Sequence, residues 1–311
     1  MKISVITPCF NEEESIEKCI SEVAELFSRD LPDYDYEHIV CDNASTDSTR
    51  SILRSLAEKN PRLKVVVNSR NVGPFRNMWI GLKLATGDAV IPFLPADLQD
   101  PPSVIPLFVS HWRQGNLIVY GVRKNRQETR IMRIFRSVYY RIISRFADFD
   151  IQQNAGEFLL ADKRVIDSII ELDDEYPYIR GLIARTGVRS STISYDWEVR
   201  QQGKSRLKFL HLVDQALNGF VSTSRIPARI MLFFGLLVSI IGVLGAVTTA
   251  VIVLLNPTSA LPGIPTIIVS LFFFGGVQMF FLGLIGEYVL SIHGQVRKIP
   301  KAFAVEKFNI D

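Results

Sequence analysis

A long apolar stretch toward the C-terminal end constrains the fold of this chain more than any other feature. Residues 230–286 contain no Asp, Glu, Lys or Arg. The segment 256–265 divides this stretch, because its three prolines and one glycine disfavour a helix. The two remaining segments, at about 230–255 and 266–290, each exceed the ~20 apolar residues that cross a bilayer. We therefore expect a two-helix transmembrane hairpin rather than two buried core helices.

The charges beside the hairpin predict its orientation. The loop that connects the two segments carries no basic residue. The outer flanks carry five, namely Arg225 and Arg229 before the first segment and Arg297, Lys298 and Lys301 after the second. Because basic flanks stay on the cytoplasmic side, we expect a multi-pass membrane protein with both termini in the cytoplasm. In this arrangement residues 206–229 form an amphipathic juxtamembrane helix and linker, and residues 291–311 form a cytoplasmic C-terminal tail.

Composition excludes some classes of partner. The chain has 35 basic and 32 acidic residues, so its formal net charge of +3 is too small to make nucleic acid the expected partner. The three cysteines and the four widely separated histidines lack the spacing of a zinc site. Free cysteines in odd number are consistent with a reducing compartment.

The first ~120 residues alternate between two kinds of hydrophobic pattern. Strand-like runs occur at 3–7, 37–41, 63–67, 89–94 and 117–120. Helical periodicity occurs between them, at 14–27, 48–58, 75–85 and 104–113. This alternation predicts a wound α/β sheet, in which ligands bind at the carboxyl ends of the strands. The glycine-rich fingerprints of dinucleotide-binding and P-loop proteins do not occur.

Polar loops follow three of the predicted strands. They cover residues 8–14, 42–47 and 95–102. Each loop alone is explained by acids that complement a helix dipole or by residues that cap a helix. Because all three fall at the same edge of the predicted sheet, we expect them to form a ligand site.

The loop sequences resemble glycosyltransferase family 2 of the GT-A type, and in particular its polyprenyl-phosphate sugar transferases. The resemblance covers nearly the whole chain. Its blocks are Pro8-x-x-Asn11-Glu12, Asp42-Asn43-Ala44-Ser45-Thr46-Asp47, Asn71-Val72-Gly73, Ala96-Asp97-Leu98-Gln99-Asp100-Pro101-Pro102, Gly121-Val122-Arg123-x-x-Arg126, Gly156-Glu157-Phe158, Arg200-x-x-Gly203-x-Ser205 and Gly286-Glu287-Tyr288. The implied fold is a Rossmann-like mixed sheet with helices on both faces, in a cytoplasmic catalytic domain over residues 1–205.

The resemblance also implies roles for individual residues. Nucleotide binding falls to Pro8, Asn11, Glu12, Asp42, Asn71 and Gly73, with Asp42 accepting from the base. Catalytic roles fall to Asp97, Glu157 and Arg200, and the acceptor phosphate is assigned to Arg123, Arg126 and Ser205. Asp97 and Gln99 hold a divalent metal, and their oxygen ligands suit Mg²⁺ or Mn²⁺.

The chain departs from the family pattern at two positions. Pro95 stands where the family has the first Asp of its metal motif, so one potential carboxylate ligand is absent. Glu157 stands where the family usually has Asp, which keeps the charge and lengthens the side chain by one methylene. An active enzyme with a rearranged metal site and a protein with changed or lost activity both remain open at this stage.

A basic amphipathic segment precedes the membrane segments. At about 129–147 apolar residues recur at helical spacing, and five arginines occupy the remaining positions. This pattern is typical of a helix that lies at a membrane interface, although a helix packed on the sheet would also show it.

The sequence thus predicts an inverting transfer of a sugar from a nucleotide donor to undecaprenyl or dolichyl phosphate. The bilayer is an expected partner, and a bacterial inner membrane is the expected location. Two alternatives are a synthase that uses a hydroxyl acceptor and a non-catalytic nucleotide-sugar-binding membrane protein. A homo-oligomer is compatible with the sequence, which does not define the sugar or the base.

Overall fold

A computed structural model describes residues 1–124, 155–174, 177–197, 263–297 and 303–310, together with scattered positions between 233 and 255. The chain divides into two compact units. The first contains residues 1–219 and 298–311, and the second contains residues 220–297.

Helices and strands alternate along the first unit as the hydrophobic patterns predicted. In chain order the elements are β1 Lys2–Cys9, α1 Ile16–Asp30, β2 Asp35–Asp42, α2 Thr49–Lys59, β3 Leu63–Asn68, α3 Pro74–Leu84, β4 Ala89–Ile91, a 3-10 turn Pro102–Val104, α4 Ile105–Arg113, β5 Ile118–Arg123, β6 Ala155–Asp162, α5 Lys163–Ile170, α6 Ile179–Arg185 and β7 Ser190–Tyr195. Helix α7, Ile264–Arg297, belongs to the second unit, and strand β8, Ala304–Phe308, returns to the first.

Eight strands form one sheet in the order β7-β5-β6-β4-β1-β2-β3-β8. Strand β1 pairs in parallel with β2 and β4, and the pairs β2–β3 and β5–β7 are also parallel. Strand β6 runs antiparallel to both β4 and β5. The predicted mixed α/β sheet is confirmed.

Two hydrophobic clusters lie on opposite faces of this sheet. Side chains of a strand alternate between faces, so Ile3 and Val5 of β1 join one cluster and Ile6 joins the other. The first cluster includes Phe27 of α1. The second includes Trp79 of α3. Helices therefore cover both faces, which leaves the carboxyl ends of the strands accessible from the edge.

The last strand of the chain completes the sheet. Strand β8 pairs antiparallel with β3 and covers its outer edge. Arg50 and Arg54 of α2 both donate to the carboxylate of Glu306 in β8. Asn309 donates to the main-chain oxygens of Ala57 in α2, Asn60 in the following turn and Leu63 in β3. The segment expected to be a C-terminal tail thus includes a strand of the first unit.

The second unit contains a long apolar helix. Within α7, Phe274–Val296 spans 23 residues and is long and apolar enough to cross a membrane; it is the one such segment in the part of the chain that the structure describes. The described positions between 233 and 255 are helical, and the rings of Phe234 and Phe281 lie 5.9 Å apart. The two-helix hairpin stays a prediction, because much of its first segment lies outside the described residues.

Several other predictions fall outside the described residues. They concern the interfacial helix at 129–147, the juxtamembrane segment 206–229, and the site residues Arg126, Arg200 and Ser205.

Candidate functional site

The polar loops predicted to converge do emerge at the same edge of the sheet. Cys9, the last residue of β1, pairs in register with Asp42, the last residue of β2. Strands β3 and β4 run parallel beside them. The loops after all four strands therefore leave from the carboxyl ends of neighbouring strands, where α/β sheets bind ligands.

Unfavourable backbone conformations concentrate in these loops. Among the described residues, five non-glycine residues have a positive φ, and three of them are Asn11, Ala44 and Leu98. One lies in each of the loops after β1, β2 and β4. Such conformations cost ~1 kcal/mol or more and persist when surrounding contacts enforce them, as they do at functional sites. The strain supports a functional role for this edge.

Asn11 joins the first loop to the second. Its main-chain nitrogen donates to Ser45 Oγ at 2.8 Å, and its Oδ1 accepts from the nitrogen of Thr46 at 2.7 Å. One residue on, the nitrogen of Glu12 donates to Thr49 Oγ1 at 2.9 Å. The side chain of Asn11 is thus engaged in holding the two loops together.

Asp42 presents a buried carboxylate between these loops. Its side chain is fully buried, and the main-chain nitrogen and hydroxyl of Ser45 both donate to it. Burial raises the pKa of Asp42, and the hydrogen bonds from Ser45 offset part of that rise. A buried carboxylate with spare acceptor capacity suits an N–H donor such as a nucleobase.

Asn43 connects the loop after β2 to the loop after β3. Sequence reasoning did not single it out. Its Nδ2 donates to Asn71 Oδ1 at 2.9 Å, and its Oδ1 accepts from the nitrogen of Val72 at 2.9 Å. Asn71 Oδ1 also accepts from the nitrogen of Gly73, whose φ of 84° favours glycine. These bonds bring Asn71 and Gly73 to the loop that carries Asp42.

The fourth loop holds the predicted metal ligands. Asp97 and Gln99 are both half-buried, and Asp97 Oδ1 accepts from the nitrogen of Gln99 at 3.2 Å. Pro95 accepts from the nitrogen of Leu98 through its carbonyl oxygen at 3.1 Å. No cluster of three or more His, Cys, Asp or Glu side chains suited to a metal occurs in the described part of the chain. One carboxylate and one amide fit a magnesium ion that takes its other ligands from phosphate and water.

Glu157 of β6 carries an unsatisfied carboxylate oxygen. Its Oε2 is enclosed and has no hydrogen-bond partner among the residues that the structure describes. Burial raises the pKa of Glu157, while the nearby charges of Arg180 and Arg123 act in the opposite direction. A buried oxygen without a partner is costly, so this group is a candidate to bind a ligand.

Two cations, the buried Arg180 and the half-buried Arg123, accompany Glu157. Arg180 of α6 donates to the carbonyl oxygen of Ala155 and to Tyr178 Oη. Arg123, at the end of β5, forms a salt bridge with Asp100 of the fourth loop. Sequence reasoning missed Arg180, because an arginine in a short helix carries no motif. It named Asp100 only as part of a motif, without a role.

Comparison with known proteins finds one matching family profile and several relatives that match nearly the whole chain. The profile described as Glycosyl transferase family 2 matches residues 4–170. A SfII prophage-derived bactoprenol glucosyl transferase of Shigella flexneri is 33% identical over 304 residues, which cover 97% of this chain and 96% of that protein. A prophage bactoprenol glucosyl transferase homolog of Escherichia coli is 32% identical over 303 residues, covering 97% of each chain.

Solved structures give a more distant likeness. Glucosyl-3-phosphoglycerate synthase from Mycobacterium tuberculosis, in complex with Mn²⁺, uridine-diphosphate-glucose and phosphoglyceric acid, is 19% identical. The superposition has a TM-score of 0.46 and covers 71% of this chain and 77% of that one.

Proposed function

The chain belongs to glycosyl transferase family 2 and is a glycosyltransferase, and from this premise we propose that its acceptor is a polyprenyl phosphate. The donor is a nucleotide sugar, and transfer occurs with inversion at the cytoplasmic face of a bacterial inner membrane. The observation that carries this proposal is the likeness to bactoprenol glucosyl transferases over 97% of the chain.

The nucleotide binds at the joined loops after β1, β2 and β3. Asp42 accepts a hydrogen bond from the base once the loops move to expose its carboxylate, which has no exposed surface in this conformation. Pro8, Glu12 and Gly73 border the same edge, while Asn11 and Asn71 hold the loops in place. The tight network explains how several short polar loops form one preorganised surface.

Asp97 and Gln99 would hold a divalent metal together with the donor diphosphate. When bound, Mg²⁺ or Mn²⁺ neutralises charge that develops on the diphosphate as it leaves. Because Pro95 contributes no carboxylate, affinity for the metal alone should be low.

The acceptor phosphate approaches from the side of Arg123 and Glu157. A phosphate oxygen forms a bond to the anomeric carbon while the bond from that carbon to the diphosphate breaks. An ionised phosphate needs little deprotonation, so a strong general base is unnecessary. Arginine suits phosphate because its planar guanidinium donates several hydrogen bonds at once.

Strand β8 supports the proposed membrane hairpin. Because β8 pairs with β3, the chain segments before and after the second unit belong to one sheet. Two segments of one sheet lie on the same side of a membrane, so the chain between them crosses an even number of times. If α7 crosses, a second crossing falls within 198–262, where 230–255 is the apolar candidate.

This topology predicts the labelling pattern of an engineered cysteine. Ser259→Cys, in the loop between the two crossings, should react with an impermeant thiol reagent in intact cells. Glu58→Cys, on the exposed face of α2, should react only after permeabilisation. Background should be low because Cys9, Cys19 and Cys41 are buried. Labelling of Ser259→Cys confined to inverted vesicles would refute the hairpin orientation.

A transfer assay tests the function itself. Purified full-length protein would receive radiolabelled nucleotide sugars in turn, with Mg²⁺ or Mn²⁺ and a short polyprenyl phosphate. We expect label to enter the lipid phase with at least one donor. Label in a hydroxyl-bearing glycolipid acceptor instead would favour the synthase alternative, and no transfer with any donor would contradict the proposal.

A further inference from the structure

The fourth loop contains a buried charge that the proposed reaction does not use. Asp100 follows the metal-binding positions in the loop after β4, and none of its surface is exposed. A buried carboxylate is strongly destabilising unless other groups pair with it. Its partners therefore indicate what it does.

Asp100 binds Arg123 through two parallel hydrogen bonds. Arg123 Nε lies 2.8 Å from Asp100 Oδ1, and Arg123 Nη2 lies 2.6 Å from Asp100 Oδ2. Tyr195 adds a third bond by donating its hydroxyl to Asp100 Oδ1. A two-point contact fixes the orientation of a guanidinium as well as its position, which a single hydrogen bond does not.

Local sequence creates the space for this unit. Arg123 and Tyr195 are the last residues of β5 and β7 and pair in register. At Gly121 a Cβ atom would lie 2.8 Å from the Tyr195 ring, and at Gly156 a Cβ would lie 3.4 Å from Arg123 Nη2. The 3.4 Å at Gly156 is an ordinary van der Waals contact, whereas a side chain at Gly121 would collide with the ring. Glycine at position 121 therefore lets the Tyr195 ring reach Asp100.

Arg123 retains binding capacity after this contact. Its guanidinium carbon lies 5.3 Å from the centre of the Trp197 ring, which covers one face. Its Nη1 donates to no residue in the part of the chain that the structure describes, and 17% of its side chain is exposed. Glu157, with its unsatisfied oxygen, lies close enough for the charge of Arg123 to lower its pKa.

We infer that Asp100 and Tyr195 are positioning residues, which hold Arg123 in the orientation that receives the acceptor phosphate. The inference rests on the proposed function. Asp100 lies three positions from Asp97 in one loop. The contact between Asp100 and Arg123 therefore joins the loop that binds the donor diphosphate to the arginine that binds the acceptor phosphate. Donor and acceptor phosphates are thereby held in fixed relation, which transfer between them requires.

A purely structural role for Asp100 predicts something different. A salt bridge that only stabilises the fold would change the unfolding temperature and leave the kinetic constants of the remaining folded enzyme unaltered. Glu37 provides a matched control at the opposite end of the strands. It is equally buried and pairs with Lys2 at 2.8 Å and Lys64 at 2.7 Å.

The test is a double-mutant cycle on the full-length enzyme in detergent, with farnesyl phosphate as the probe acceptor. We expect Asp100→Asn to lower kcat/KM for farnesyl phosphate at least about tenfold and to change KM for the nucleotide sugar less than about twofold. Tyr195→Phe should give a smaller loss of the same kind. In an Arg123→Ala background, Asp100→Asn should cause no further loss, because it acts through Arg123. Glu37→Gln should lower the unfolding temperature without altering either constant.

The outcomes separate the inference from the proposed function. If the wild-type enzyme uses farnesyl phosphate and Asp100→Asn leaves kcat/KM unchanged, or if its loss adds to that of Arg123→Ala, the positioning role is wrong and the function stands. If calorimetry and transfer both show that the wild-type enzyme neither binds nor uses farnesyl phosphate, the proposed function and the role of Arg123 are both overturned.

Discussion

Replacing Asp97 with alanine is expected to reduce sugar transfer at least about a thousandfold. Asp97 is the one carboxylate among the two predicted metal ligands, Pro95 adds none, and the nearby Asp100 is engaged by Arg123. A metal held by Asp97 would neutralise the charge that develops on the diphosphate, and the alanine variant would lose that stabilisation. The measurement is kcat with saturating donor and acceptor over a range of Mn²⁺ concentrations.

Pro95→Asp provides the complementary variant. It restores the first Asp of the family's metal motif and should tighten Mn²⁺ binding without necessarily raising kcat, since stronger ground-state binding alone does not lower the barrier. Manganese affinity would be measured with and without the donor nucleotide for the wild type and both variants. Full activity of Asp97→Ala, or tight metal binding by the wild type without nucleotide, would refute the proposed metal site.

As a weak base that assists the acceptor phosphate, Glu157 would contribute at the low end of general-base catalysis, so its replacement with glutamine is expected to lower kcat about a hundredfold. Glutamine matches its size and removes the charge between Arg123 and Arg180. Glu157→Asp, which restores the residue usual in the family, should retain most of the activity because it keeps the charge. The three enzymes would be compared at saturating donor.

The pH dependence of activity distinguishes a Glu157 that acts in its ionised form from a Glu157 with a structural role only. Burial raises the pKa of Glu157 above its ordinary value, so the protonated form persists to higher pH than for an exposed glutamate. If the ionised form acts, activity falls as pH drops through this raised pKa. In Glu157→Gln this fall in activity at low pH should be absent, and only the pH dependence that comes from ionisation of the acceptor phosphate should remain. An unchanged pH profile in the variant would exclude a role for the Glu157 charge.

Acid should also weaken the fold through two groups in β2. Burial lowers the pKa of His38 to about 3. Burial by itself raises the pKa of Glu37, but hydrogen bonds from Lys2, Lys64, Ser4 and Thr86 together outweigh it and lower that pKa to about 2. Both groups bind protons more readily when the chain is unfolded. Stability is therefore full above the ordinary histidine pKa near 6.5 and declines as pH falls toward 2. Thermal unfolding measured from pH 7 to pH 3 tests this decline.

Most helices and strands of the first unit could be predicted because their patterns are local. Strand β1 was expected at 3–7 and occurs at Lys2–Cys9, and helix α3 was expected at 75–85 and occurs at Pro74–Leu84. Burial on one or both faces imposes a characteristic period on a strand or helix, and this period is visible within a dozen residues. The polar loops between them were also local signals.

The contacts that join the loops could not be predicted in the same way. Asn43 and Asn71 are neighbours only because β2 and β3 are adjacent in the sheet. Asp100 follows β4 and Arg123 ends β5. The two strands end at the same edge because β6, which the pattern did not place, lies between them and runs antiparallel to both. Each partner is one of many polar residues of its type, so nothing in the residue itself identifies the pair.

The sequence by itself determined the α/β alternation, the long apolar segments and the family, since each depends on local period, composition or ordered motifs. Only the tertiary structure decided that β8 completes the sheet and that Asp100 and Tyr195 hold Arg123. The physical reason is distance along the chain: Arg50 and Glu306 are 256 positions apart. Such pairs form when the packing of the whole sheet brings their strands together, and that packing is a collective property of many residues.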